Sequence, residues 1–179
     1  SVDEIETILN SKELADLEYI KIVGFMGMAS FTEDKQQVID YLNSNFGWEP
    51  VIISGPYHMK DISKEKYPEA LFVDTMDIRK GIFDYSKISN AMPIDSELIK
   101  SLSDFELNFL GILEDTTGWN FSYYERKRFY FDILRFWNTA IQNIQPNLFI
   151  SFTWPHTPTE YSLYLLCKYY FKINLMYIN

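Results

Sequence analysis

The sequence predicts an α/β fold: a mostly parallel, Rossmann-like sheet of about five strands with helices on both faces. Three observations carry that expectation. A β-branched run from Tyr19 to Met26 is followed by a helical pattern from Thr32 to about Asn45, then by a second buried run, Pro50 to Ser54. Strand, helix and strand within about forty residues read as a parallel pair joined by a crossover. Asn147 to Thr153 is apolar at nearly every position, as a central strand buried on both faces requires. Directly after it comes a helix start, so strand, loop and helix follow one another where α/β proteins place ligands.

Taken in order, Val2 to Leu17 mixes apolar residues with acids and predicts one or two short helices. The first strand, Tyr19 to Met26, is closed by Gly24 and Gly27. Gly24-x-x-Gly27 is no dinucleotide fingerprint and lacks the Lys and Ser/Thr of a P-loop, so it reads as an ordinary βα turn. In the helix opened by Thr32-x-x-Lys35, Val38, Ile39, Leu42 and Phe46 form the apolar stripe, and Gly47 is the expected C-cap. Residues 59–69 are polar and read as a surface segment. Ala70 to Asp74 is a third strand, and Asp77 to Met92 is ambiguous. Asp95 caps a helix with the stripe Leu98, Leu102, Phe105 and Phe109, ending near Gly111 to Gly118.

Ser122 with Glu125 three residues on has the spacing of a capping box and opens the longest helix. Its two stripes, Tyr130-Leu134-Trp137-Ile141-Ile144 and Phe129-Ile133-Phe136-Ala140, make a wide buried face that Pro146 terminates. Thr157-Pro158-Thr159-Glu160 combines an N-cap, proline at the first helical position and Glu at the third. That helix should run to about Phe171. Ile173 to Ile178 is the fifth strand, and a chain that stops on a strand reads as the N-terminal lobe of a longer protein, residues 1–179 forming one α/β domain.

The chain carries a net charge of −9 and 17% aromatic residues, with a single cysteine, Cys167. An acidic chain is repelled by phosphate backbones, and the one basic cluster, Arg126-Lys127-Arg128, is flanked by acids at helical pairing distance, which excludes nucleic acid as a general partner. A lone cysteine in an apolar run excludes a disulfide framework and a cysteine zinc site. No signal peptide or membrane-length run is present, so a cytoplasmic location is expected. No residue spacing points to a metal or cofactor; Asp74-x-x-Asp77 is a weak echo of a metal–nucleotide motif.

From Pro93 onward several segments carry a family likeness: Pro93-Ile-Asp-Ser-Glu-Leu-Ile, Phe105-Glu106-x-x-Phe109-Leu110, Tyr124-Glu-Arg-Lys-Arg-Phe-Tyr-Phe, Leu134-Arg-Phe-Trp137, Pro146-Asn-Leu-Phe-Ile and Pro155-His156-x-x-x-Glu160-Tyr-Ser-Leu-Tyr164-Leu-Leu-Cys-Lys168. Over about half the chain this resembles the N-terminal region of a bacterial surface-carbohydrate (capsule or lipopolysaccharide) biosynthesis family whose members are described as glycosyltransferases. The resemblance implies a metal-independent GT-B-like lobe, with a carbohydrate or nucleotide-sugar as ligand and a second lobe or a second copy of the chain as partner. Relatives often carry an acidic residue after the Pro-His pair; Thr157 stands there in this chain.

The loops expected at the carboxyl edge hold the site candidates. His156 reads as a general base or a binder of a sugar hydroxyl, or as a histidine held by backbone carbonyls in a Pro-flanked turn; the sequence leaves both open. Trp154 and Tyr57 have the rings to stack on a sugar, or to pack a turn. Pro155 and Thr157 shape the same loop, and Glu160 is first of all the capping-box acid. Asp74 reads as a ribose or metal ligand or as a turn cap, and His58 as a surface histidine. Glu106 and Arg126, polar positions in apolar helices, read as a buried pair, a cap or ligand contacts. The competing reading is a non-catalytic scaffold whose aromatic helical surface docks a partner.

Overall fold

The structure, a computed structural model, describes residues 20–26, 33–89, 91–117 and 121–178. The predicted helices before Tyr19, the loop around Gly27 and the Thr32 cap lie outside those residues. The chain divides into two compact units: Ser1–Asp74 with Pro146–Trp154 and Asn174–Asn179, and Thr75–Gln145 with Pro155–Ile173.

The first unit is a five-stranded parallel sheet. Its strands are β1 (Ile22–Met26), β2 (Glu49–Gly55), β3 (Leu71–Asp74), β4 (Leu148–Ser151) and β5 (Asn174–Tyr177), in the order β3-β2-β1-β4-β5. All four pairings are parallel. Asn147 sets the register of the central pair: its Oδ1 accepts from the Lys21 and Ile22 amides at 3.2 and 3.1 Å, and its own N–H donates to Ile22 O at 2.8 Å. Helix α1 (Glu33–Phe46) lays Val38, Ile39 and Leu42 against Val23, Phe25, Ile53, Leu148, Ile150 and Met176, all buried. Removing each such side chain from water stabilises the fold by roughly 1.5–3 kcal/mol. Gly47 ends the helix in the left-handed region (φ +66°), as expected.

Within this unit the sequence-based reading needs one correction. Gly24 does not close β1; it sits in mid-strand, paired with Ile52 and Phe149. The polar stretch at 59–69 is mostly exposed, as a surface segment should be, and part of it is helical: a 3₁₀ turn, Tyr57–Met59, runs into α2 (Lys60–Lys66). Asp40 of α1 ties that helix down, its carboxylate accepting from Gln36 Nε2 at 2.8 Å, Tyr67 Oη at 2.7 Å and Lys66 Nζ.

The second unit is helical: α3 (Thr75–Arg79), α4 (Ser96–Leu102), α5 (Glu106–Thr117), α6 (Tyr123–Ile144) and α7 (Pro158–Leu165), the last continuing as a π-helical segment, Leu166–Phe171. Asp95 caps α4, accepting from the Leu98 amide at 2.7 Å. The single helix expected from Asp95 to near Gly111–Gly118 ends within that span, at Thr117, but is broken on the way. Ser101 and Ser103 hydroxyls bond back to Leu98 O and Lys100 O, and residues 103–105 tighten into a 3₁₀ turn before α5 begins. Helix α5 then runs through Gly111. Both stripes of α6 are buried except at Ile144, and Gln145 in the left-handed region precedes the terminating Pro146. Rings fill this core: Phe109 lies 4.8 Å from Tyr130, and Phe105 lies 4.3 Å from Tyr169. Glu106 pairs with Lys127 at 3.1 Å, not with Arg126, whose Nη1 donates to Leu110 O. Cys167 is buried, which pushes its thiol pKa up.

Candidate functional site

In an open parallel sheet, ligands bind outside the carboxyl ends of the strands where the strand order reverses. Here that reversal lies between β1 and β4. The β4 backbone is locked to β1 up to its end, with the Phe152 amide donating to Met26 O at 3.1 Å. Ser151 Oγ then donates to Thr153 O at 2.6 Å, which bends the chain out of the sheet. Trp154 emerges at this point. Its indole stacks on Tyr177 of β5 at 4.9 Å between centroids and 23° between planes, yet the residue is 67% exposed. An indole stacked on a neighbouring ring in so exposed a residue is a ready-made stacking platform.

Two strands away, β2 ends in Gly55 and leads through Pro56 into the 3₁₀ turn of Tyr57 and His58. Both side chains are exposed, and Lys60 Nζ stands 5.7 Å from the Tyr57 ring centre. Asp74 closes β3 opposite Gly55, with its carboxylate buried, immediately before α3. At about 4.8 Å per strand the ends of β2 and β4 are about 10 Å apart, and those of β3 and β4 about 14 Å. Tyr57 and Trp154 thus follow strand ends two places apart in the sheet, and Asp74 closes a strand one place further from β4.

In the helical unit, Thr157, Glu160 and His156 are brought together at the start of α7. Thr157 is a capping residue with proline at N1: its Oγ1 accepts from the Glu160 amide at 3.5 Å, and Glu160 Oε2 accepts from the Thr157 amide at 3.4 Å. The capping box is complete, as the spacing predicts. His156 Nδ1 stands 3.7 Å from the same Oε2; the imidazole is 65% exposed and the carboxylate 1%. Protonating the imidazole would turn that contact into an ion pair with a buried carboxylate. Pro155 is half-buried in the same turn.

Sequence reasoning missed Tyr177, the base of the Trp154 stack; its only signal was an aromatic residue in an alternating terminal strand. Among the described residues, no three His, Cys, Asp or Glu side chains converge as a metal ion would require, and no helix is long and apolar enough to cross a membrane. Comparison with protein-family models, curated proteins and solved structures returns no match for this chain.

Proposed function

We propose that this chain binds a sugar or nucleotide-sugar at the carboxyl ends of its strands, as the N-terminal lobe of a glycosyltransferase-like protein of bacterial surface polysaccharide biosynthesis. The observation that carries this reading is the Trp154 indole, exposed yet fixed on Tyr177 beside the point where strand order reverses. A pyranose presents an apolar C–H face that packs on such a ring, while its hydroxyls stay free for polar contacts. Fixing the indole in advance lowers the entropy lost on binding. Tyr57 supplies a second exposed ring along the same edge.

His156 takes the general-base or hydroxyl-binding role in this reading. In that role the imidazole accepts the proton of an acceptor hydroxyl as its oxygen attacks the sugar's anomeric carbon and the nucleoside diphosphate leaves. The Glu160 carboxylate would then stabilise the imidazolium. A thermal-shift screen with nucleotide sugars and oligosaccharides, run on wild type and Trp154→Ala, tests the binding. A polysaccharide complementation assay with His156→Ala tests the chemistry. No shift with any sugar, together with normal complementation by His156→Ala, sinks the proposal.

A second reading has its own observation. Leu107, Tyr123 and Tyr124 are exposed around the Glu106–Lys127 pair that joins the starts of α5 and α6. Such apolar side chains favour a scaffold that docks a second lobe or a second copy of the chain. Light scattering on wild type and Leu107→Lys distinguishes self-association from a monomer.

A further inference from the structure

The helical unit holds a cavity of about 240 Å³ between the end of α3 and the first turns of α6. Its position follows from how α3 stops. The Gly81 amide donates to Ile78 O and the Ile82 amide to Asp77 O, both at 2.9 Å, with Gly81 in the left-handed region at φ +75°. That pair of bonds is a Schellman ending. It turns the chain back so that Phe83 lies 6.1 Å from Phe129 and 5.7 Å from Phe136 of α6. Phe83, Phe121 and Phe129 make the apolar wall, and Lys80 and Arg128 stand at the rim.

The rim also holds two carboxylates, and both are already engaged. Glu125 accepts from the Ser122 amide and hydroxyl at 2.8 and 2.7 Å, which holds its pKa below the usual range. Asp132 is shared between Arg128 Nε at 3.7 Å and Arg135 Nη1 at 3.3 Å. Arg128 is loosely held, its side chain 86% exposed. Among the described residues no carboxylate is paired with Lys80. The Ser122 bonds leave the Glu125 charge in place, so three cations (Lys80, Arg128 and Arg135) stand with two carboxylates (Glu125 and Asp132), and the excess charge around the rim is positive.

We propose that this cavity is a small-molecule site for a single aromatic ring bearing one anionic group, carboxylate or phosphate. The ring packs on Phe83 and Phe129, and the anion is held by Lys80 and Arg128. A cavity of roughly 150 Å³ lined by apolar side chains accepts benzene, so this one has room for one substituted ring and too little for a dinucleotide. Aromatic stacking and a charge-assisted contact are each modest alone, and selectivity comes from requiring both. The site uses no residue of the strand-end loops, so it stands or falls independently of the carbohydrate reading.

The test is a titration of ¹⁵N-labelled protein with benzoate, phenyl phosphate, inorganic phosphate and benzyl alcohol, following the amides of Lys80, Gly81, Phe83 and Phe129. Benzoate or phenyl phosphate, or both, should give saturable shifts in the millimolar range. Inorganic phosphate and benzyl alcohol should bind at least about tenfold more weakly. Lys80→Gln and Arg128→Gln, both at exposed positions, should each weaken the aryl anion about tenfold with the remaining spectrum unchanged. The proposal is overturned if neither aryl anion binds saturably, if inorganic phosphate or benzyl alcohol binds as tightly, or if both Gln variants bind like wild type.

Discussion

The ring of Phe149 in β4 lies directly over Gly24 in β1, so close that a β carbon at Gly24 would stand 2.1 Å from Phe149 Cε1. The two residues are register partners at the centre of the sheet, and Phe149 is fully buried. The ring occupies the space that any other residue at position 24 would need. Gly24→Ala should therefore destabilise the chain by about 1–3 kcal/mol, the usual cost of overpacking a dense core. Urea unfolding measures it, and Gly24→Ala combined with Phe149→Leu should recover part of the loss. An unchanged midpoint in the single variant would show that the ring has room to move.

Asp40 should make stability depend on acid. Burial raises its pKa, but the donors on Lys66, Tyr67 and Gln36 outweigh that and hold it below the ordinary 3.8. A lowered folded-state pKa contributes stability that is fully present above the unfolded value and is lost as pH falls through the folded one. Asp40→Asn keeps the shape and removes the charge. It should cost up to about 1 kcal/mol at pH 7, because the Lys66 pair is solvent-screened, and the gap from wild type should close below pH 3.8. Urea titrations at several pH values give both quantities; a gap that widens in acid would contradict the clamp.

Cys167 should be inert in the folded chain. Full burial and a raised thiol pKa leave almost no thiolate and no path for a reagent. Iodoacetamide at pH 8 should label it only at the rate at which the chain unfolds, and rapidly in urea. Fast labelling of folded protein, followed by mass spectrometry, would place the thiol at an accessible surface instead.

What could be read in advance was what is decided locally. The Ser122–Glu125 and Thr157–Glu160 capping boxes close within three residues, so their spacing alone predicted both helix starts. The strands declared themselves by β-branched and apolar runs, and the resulting sheet is parallel throughout. What escaped was set by partners distant in sequence. Gly24 looked like a turn glycine because nothing near it announces Phe149. Trp154 could be placed on its loop, but its support, Tyr177, belongs to the next strand. Glu106 found Lys127 where Arg126 was equally plausible by spacing, since the rotation of α6 against α5 decides between adjacent residues. The π-helical continuation of α7 ends with Lys172 in the left-handed region and a 2.9 Å bond from the Ile173 amide back to Cys167 O. No residue type marks that wider turn in advance.

The most direct test of the sugar-binding reading is saturation-transfer NMR on wild type and Trp154→Ala, with nucleotide sugars and oligosaccharides as probes. Trp154 is largely exposed, so the variant should stay folded, which an unchanged amide spectrum would verify. Transfer to the pyranose ring protons in wild type, with loss of at least about tenfold in affinity on removing the indole, is the predicted result. No transfer to any sugar, or equal transfer in the two proteins, would contradict it.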